Sequence, residues 1–212
     1  MADVTITGPA GKLEARYQPA PAPKAPAVLV LHPHPQHGGT MHNKVVHALA
    51  QAFARRGFAT LRFNFRGVEK SEGSYGEGTG ELADAAAALD WLRGQNPDAS
   101  ALWIAGFSFG AWIALRLVAQ RRPAGFVVLA PPTRMLDFSE IDSIATPGLI
   151  VQGDQDQIVP PDGVVDFAAR LKQASPAAIE LRLIPGADHF FSGQLDAMAA
   201  IVDAYLAGVG GA

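Results

Sequence analysis

Few side chains can attack a carbonyl carbon, and serine does so only when its surroundings activate it. The 212-residue chain holds a serine at position 108 within Gly106-Phe107-Ser108-Phe109-Gly110. This spacing is that of a nucleophile elbow, a sharp turn from strand into helix that pushes the hydroxyl out of the sheet. The turn demands a strained backbone, and the flanking glycines leave space where strand and helix crowd together. The helix that follows directs its N-terminal end at the site, where negative charge would develop. The simpler alternative is a serine capping an ordinary glycine-rich turn. The strand-like run before it and the apolar helix after it favour the elbow.

The hydroxyl needs a base within hydrogen-bond reach, and the base needs an orienting carboxylate. After an elbow serine the acid comes next in the chain and the histidine last. Only one of the six histidines follows Ser108, namely His189 in Pro185-Gly186-Ala187-Asp188-His189. The acid should follow the preceding strand, where Gly153-Asp154-Gln155-Asp156 offers two carboxylates. Asp156 is the preferred acid and Asp154 the reserve, since Asp154 lies close to the strand end and is suited to bonding loop amides. Asp188 is a poor candidate, because its side chain adjoins His189 in sequence and would diverge from it.

An oxyanion needs two donors. The first expected is the backbone N–H of Phe109, and the second comes from the loop Leu31 to Asn43. Pro33 and Pro35 in that loop carry no N–H, which makes the backbone of His34 the natural donor. Each such donor is worth about 3 kcal/mol in the transition state. The same loop raises a rival reading, in which His32, His34, His37 and His42 hold a metal. Alternate prolines stiffen the loop and no nearby Asp, Glu or Cys completes a shell, so no metal is expected. In a third reading these rings only line the cleft or bond to backbone. Arg66, Glu69 and the loop Ser71 to Gly80 border the cleft and are given no catalytic role.

These residues must be positioned by regular elements. Ala27–Leu31 is a continuous apolar run, as in a strand covered on both faces. Helical spacing marks Asn43–Arg56, with Val45, Leu49 and Phe53 four residues apart and Gly57 as its stop. Strands are expected at Phe58–Phe65, Ala101–Phe107, Gly125–Ala130, Pro147–Gln152 and Ile179–Ile184. Helices are expected at Glu81–Arg93, Phe109–Gln120, Val164–Gln173 and Leu195–Leu206. Val4–Gly8 and Lys12–Tyr17 suggest an antiparallel hairpin at the sheet edge, and Pro19 to Pro26 an extended loop. Such alternation predicts a mostly parallel, doubly wound α/β sheet flanked by helices, in one domain over 1–212. Ligands bind such sheets beyond the carboxyl ends of the strands, where the residues above fall.

The chain resembles the α/β-hydrolase superfamily over nearly its whole length. It is most similar to small bacterial serine hydrolases that carry His32-Pro33-His34-Pro35 with Gly38-Gly39-Thr40-Met41, then Leu61 to Gly67, then Gly106 to Trp112. That group is similar in size and layout to dienelactone hydrolases, whose nucleophile is a cysteine where this chain has Ser108. The resemblance implies carboxylic ester hydrolysis of a small-molecule substrate without a cofactor, and by analogy Asp156 as the acid. Thioesterase, amidase and perhydrolase activities share the same machinery. A non-catalytic or metal-binding module built on the histidine loop is the alternative of another class. Many relatives insert a helical lid after the fourth or fifth inner strand. Here only Pro131 to Thr146 separates two strands, which implies a lidless, open cleft suited to small or flexible substrates.

The bulk numbers exclude other classes. Hydrophobic residues make up 49% and charged residues 17%, as in a globular protein. A net charge of −3 without a basic stripe gives no attraction to nucleic acid or anionic membrane. The absence of cysteine removes disulfides, thiolate metal sites and a cysteine nucleophile. No basic start followed by an apolar run marks residues 1–20, and no apolar stretch is long enough to span a bilayer. A cytoplasmic location is therefore expected, with an exposed edge strand able to pair two copies in a homodimer.

Overall fold

The computed structural model describes residues 1–209, so the last three positions of the expected 1–212 domain lie outside the described residues. One eight-stranded sheet runs through the molecule in the order β1-β2-β4-β3-β5-β6-β7-β8. The edge hairpin is present: β1 (Ala2–Gly8) pairs antiparallel with β2 (Gly11–Gln18), and β2 pairs antiparallel with β4 (Ala59–Phe63). Every later pairing is parallel, through β3 (Ala27–Leu31), β5 (Leu102–Phe107), β6 (Gly125–Leu129), β7 (Gly148–Gly153) and β8 (Ile179–Ile184). The inner strands β3 to β7 are buried almost throughout, as in a sheet covered on both faces; β3, β5 and β6 are apolar runs, while β4 and β7 also bury Thr60, Arg62 and Gln152.

Two hydrophobic layers cover the sheet. Val45, Leu49 and Phe53 of α1 (Lys44–Arg55) join Met198, Val202 and Leu206 of α5 (Leu195–Val209) on one face. On the other face lie α2 (Thr79–Gln95), α3 (Phe109–Arg121) and α4 (Pro161–Ala174). Helix α3 is buried nearly all round, in keeping with its almost wholly apolar sequence. Asn43 caps α1 through its side chain, which accepts from the N–H groups of Val45 and Val46.

Two helices begin earlier than their apolar periodicity indicates. Helix α2 starts at Thr79 because the Glu81 carboxylate accepts from the N–H groups of Gly76 and Gly78, at 2.9 and 2.7 Å. Helix α4 starts at Pro161, with proline in its first turn and Asp162 beside it. Strand β4 is shorter than expected, because Asn64 and Phe65 turn their polar groups to the histidine loop.

No helix or strand lies between β6 and β7. That segment is pinned to the body by Trp112, whose Nε1 donates to the Asp137 carbonyl at 2.7 Å, and by the Phe138–Phe167 ring contact. The sheet is therefore open above its carboxyl edge. No described helix is long and apolar enough to cross a membrane.

Candidate active site

Ser108 occupies the turn between β5 and α3 with φ 54° and ψ −120°, a conformation L-residues rarely adopt. Its N–H donates to the Leu129 carbonyl at 2.9 Å, which ties the turn to β6. The turn is possible because its flanking positions are bare. A Cβ at Gly110 would lie 2.5 Å from the carbonyl oxygens of Leu31 and His32, and one at Gly106 would collide with the carbonyl of Gly110. The Ser108 side chain caps nothing at the start of α3, so its hydroxyl is left for another partner.

That partner is His189, whose Nε2 lies 3.0 Å from Ser108 Oγ. The other ring nitrogen, Nδ1, lies 2.8 Å from Asp156 Oδ2. The carboxylate can only accept, so Nδ1 carries the proton and Nε2 faces the hydroxyl as an acceptor. Three loops, following β5, β7 and β8, thus meet in one hydrogen-bonded series.

Asp156 is nearly buried and receives more than the histidine. Its Oδ1 accepts from the N–H groups of Ile158 and Val159 at 2.9 and 2.7 Å, and Gln152 Nε2 donates to Oδ2 at 3.0 Å. Burial by itself would raise this carboxyl. The bonds from His189, Val159 and Gln152 outweigh it and hold the group below its ordinary range. The reserve acid is used elsewhere: Asp154 Oδ1 accepts from the Gly186 N–H at 2.6 Å and bridges the loop after β7 to the loop after β8 that carries His189. Asp188 turns away from its neighbour, as expected, and accepts from the N–H groups of Phe190 and Ser192 at 3.0 and 2.9 Å.

The Phe109 and His34 peptides border the same cleft, and among the described residues neither N–H donates to a protein acceptor. The cleft has a volume of about 330 Å³. Ser108 and His189 lie in it beside Met135, Leu136, Ile158 and Phe190. Met135, Ile158 and Phe190 are exposed apolar side chains, and no residue lining the cleft is Asp, Glu, Lys or Arg.

The four loop histidines part company. His32 is fully buried; its Nδ1 donates to the Pro33 carbonyl at 2.6 Å, and its Nε2 accepts from the Phe65 N–H at 3.0 Å. Burial pushes its pKa down to about 4. Neither nitrogen can take a metal without breaking a backbone bond. His34 and His37 stack with ring centroids 4.4 Å apart, while His42 lies on the far side of the loop against the start of α1. Among the described residues no group of three or more His, Cys, Asp or Glu is gathered as a metal site requires.

Sequence reasoning missed the residues that fasten this loop. Asn64 Oδ1 accepts from the Met41 N–H at 2.8 Å, and the buried Arg62 guanidinium donates to the Met41 carbonyl at 2.8 Å. With the Phe65 bond to His32, these contacts explain why Leu61 to Gly67 accompanies the histidine loop in the motif set. Arg66, left without a role, grips the buried Asp84 through Nε, Nη2 and its own backbone N–H, at 2.9, 2.6 and 3.1 Å. This pair fastens the segment after β4 to α2, and neither Arg66, Glu69 nor the loop Ser71 to Gly80 lines the cleft that they were expected to border.

Comparison with known proteins agrees with this geometry. Residues 12–141 match the family model of X-Pro dipeptidyl-peptidase (S15 family). An uncharacterised protein from Rickettsia prowazekii is 44% identical over 211 residues, covering 97% of this chain and 89% of that protein. The structure of a protein of unknown function from Agrobacterium tumefaciens superposes with a TM-score of 0.93 at 45% identity, over 97% of this chain and 94% of the other. A lidless α/β serine hydrolase from Xanthomonas campestris superposes with a TM-score of 0.87 at 38% identity, over 97% and 93%. The chain therefore belongs to the S15 family as that model defines it, within the α/β-hydrolase superfamily and alongside its lidless serine hydrolase homologues.

Proposed function

We propose that this protein is a carboxylic ester hydrolase acting on small acyl esters through an acyl-enzyme formed on Ser108. The observation that carries the proposal is the series Asp156–His189–Ser108, with 2.8 and 3.0 Å links and the serine at a strained elbow. In the cycle, His189 Nε2 takes the hydroxyl proton as Ser108 Oγ attacks the ester carbonyl. The negative oxygen is held by the N–H groups of Phe109 and His34. His189 then protonates the departing alcohol, and water repeats the attack on the acyl-enzyme to release the acid. Asp156 fixes the imidazole tautomer and steadies the imidazolium. The cycle as written draws on no metal or cofactor.

The cleft supports an uncharged acyl group. It offers apolar contact from Met135, Leu136, Ile158 and Phe190 and no charged side chain to replace the hydration of an ionic substrate. Its volume of about 330 Å³ sits at the small end for ligand sites. Thioesters, amides and peracid formation would use the same residues, and the S15 match makes amides a worthwhile arm of any profile.

The test is a Ser108→Ala variant assayed with p-nitrophenyl esters of increasing acyl length, beside matched thioesters and amides. Turnover should fall by about 10⁴-fold or more while the fold persists. A fluorophosphonate probe should label the wild type at Ser108 and leave the variant unlabelled. Retained turnover in Ser108→Ala would overturn the assignment. Failure of labelling with stoichiometric metal by elemental analysis would favour the non-catalytic module.

A further inference from the structure

The proposed cycle uses only the peptide N–H of His34, a group that every residue except proline carries. It gives no reason for an imidazole there, yet that ring is held with unusual care. Its Nδ1 accepts from the Gln36 N–H at 3.2 Å, so its proton sits on Nε2. Nε2 faces the Tyr75 hydroxyl at 3.2 Å, where the phenol oxygen accepts. The ring also packs against Phe109, with centroids 4.9 Å apart, and stacks on His37. Tyr75 touches both members of the pair, at 5.1 Å from the His34 ring and 6.2 Å from that of Phe109. Phe109 is the residue whose N–H supplies the other oxyanion donor.

Tyr75 is itself fixed. The Glu81 carboxylate holds the N–H groups of Gly76 and Gly78 directly after it, and the Arg66–Asp84 pair holds the loop from below. The loop from Gly67 to Gly78 thus carries Tyr75 onto the side chain of the second donor.

We propose that Tyr75 is a positioning residue for the oxyanion donors: by hydrogen bonding the His34 ring, it sets the residue 34 peptide at the correct spacing from that of Phe109. This rests on the esterase reading above. Without the phenol oxygen, the imidazole keeps its ring contacts with Phe109 and His37 but a single hydrogen bond, from Gln36, so its Nε2 end is no longer fixed. The residue 34 peptide stays held through the Pro33 carbonyl by His32, and its N–H is turned slightly from its best direction toward the oxyanion. The ground-state carbonyl, which carries little charge, is affected little, whereas the tetrahedral state is affected most.

The experiment compares wild type, Tyr75→Phe, His34→Ala and the double variant on p-nitrophenyl butyrate, with circular dichroism to check folding. Tyr75→Phe should lower kcat by about 10-fold with KM within about twofold, since only transition-state binding is weakened. Affinity for butyl boronic acid, which forms a tetrahedral adduct on Ser108, should fall by the same factor as kcat. Affinity for butyrate should not change. His34→Ala keeps its N–H and loses its ring, so it should show a similar loss, and adding Tyr75→Phe to it should cause no further loss. Should Tyr75→Phe not fold, the boronic acid and kcat losses in His34→Ala decide the matter. Unchanged kcat in Tyr75→Phe, a loss confined to KM, or additive losses in the double variant would overturn the positioning role. A wild type that turns over no ester and takes up no fluorophosphonate removes the esterase reading instead, and the proposal with it.

Discussion

His32 should set much of the acid sensitivity of this protein, and the size of the effect follows from its burial. The ring is fully buried and neutral, donating to Pro33 and accepting from Phe65. Its pKa is pushed down from the ordinary 6.5 to about 4. In the unfolded chain the imidazole takes up a proton as the pH falls through about 6.5, while in the folded state it resists until about 4. Stability from this group is therefore complete above pH 6.5 and is lost as the pH falls towards 4. At about 1.4 kcal/mol per pKa unit, the loss amounts to about 3 kcal/mol. His32→Gln provides the comparison, because its amide has no titration and can still accept from the Phe65 N–H. At pH 7 the variant should be less stable by about 1 kcal/mol for the lost Pro33 bond. By pH 4 the order should reverse, with the variant more stable by about 2 kcal/mol. Urea unfolding followed by tryptophan fluorescence at pH 7, 5.5 and 4 measures both proteins. Carboxylates such as Asp156 titrate in both, so the difference between the curves isolates residue 32. A difference that stays constant from pH 7 to pH 4 would refute the reasoning.

The two aspartates of the acid loop should separate by assay. Asp156→Asn should lower kcat on a short ester by about 10⁴-fold, since an amide favours the wrong imidazole tautomer. Asp154→Asn should leave turnover near that of the wild type and lower the melting temperature instead, because Asp154 holds the Gly186 N–H. Asp84→Ala leaves the Arg66 guanidinium, only 14% exposed, without its partner. It should destabilise the protein by about 3 kcal/mol in urea unfolding.

The sequence made legible those features that depend on local pattern. Most inner strands are short apolar runs, and the expected bounds lie within two residues of the observed ones. The meeting of Ser108, Asp156 and His189 was legible because strand order puts the loops after β5, β7 and β8 at one edge of the sheet. Legibility ended where a side chain reaches a distant backbone group. Nothing in Asn64 or Arg62 announces a bond to Met41, and the partner of Arg66 lies in a helix whose path is set by packing. The start of α2 escaped because its capping carboxylate, Glu81, acts with a glycine at the cap in place of the usual Ser, Thr, Asp or Asn. The start of α4 had a usable signal, Pro161 followed by Asp162, outweighed by the later apolar spacing from Val164. Tyr75 could not be joined to His34, since the route of a glycine-rich loop is fixed only by its anchors.

His189, the proposed base, hangs from the margin of the sheet. Strand β8 has a neighbour on one side only, and the loop carrying His189 leaves directly from its end. Outer strands release their hydrogen bonds at lower free energy than inner ones. On warming, the imidazole should therefore drift from the hydroxyl while β3, β5 and β6 still keep their amides from exchange. Catalysis would then fail as a local event at the rim, ahead of the cooperative melting of the interior.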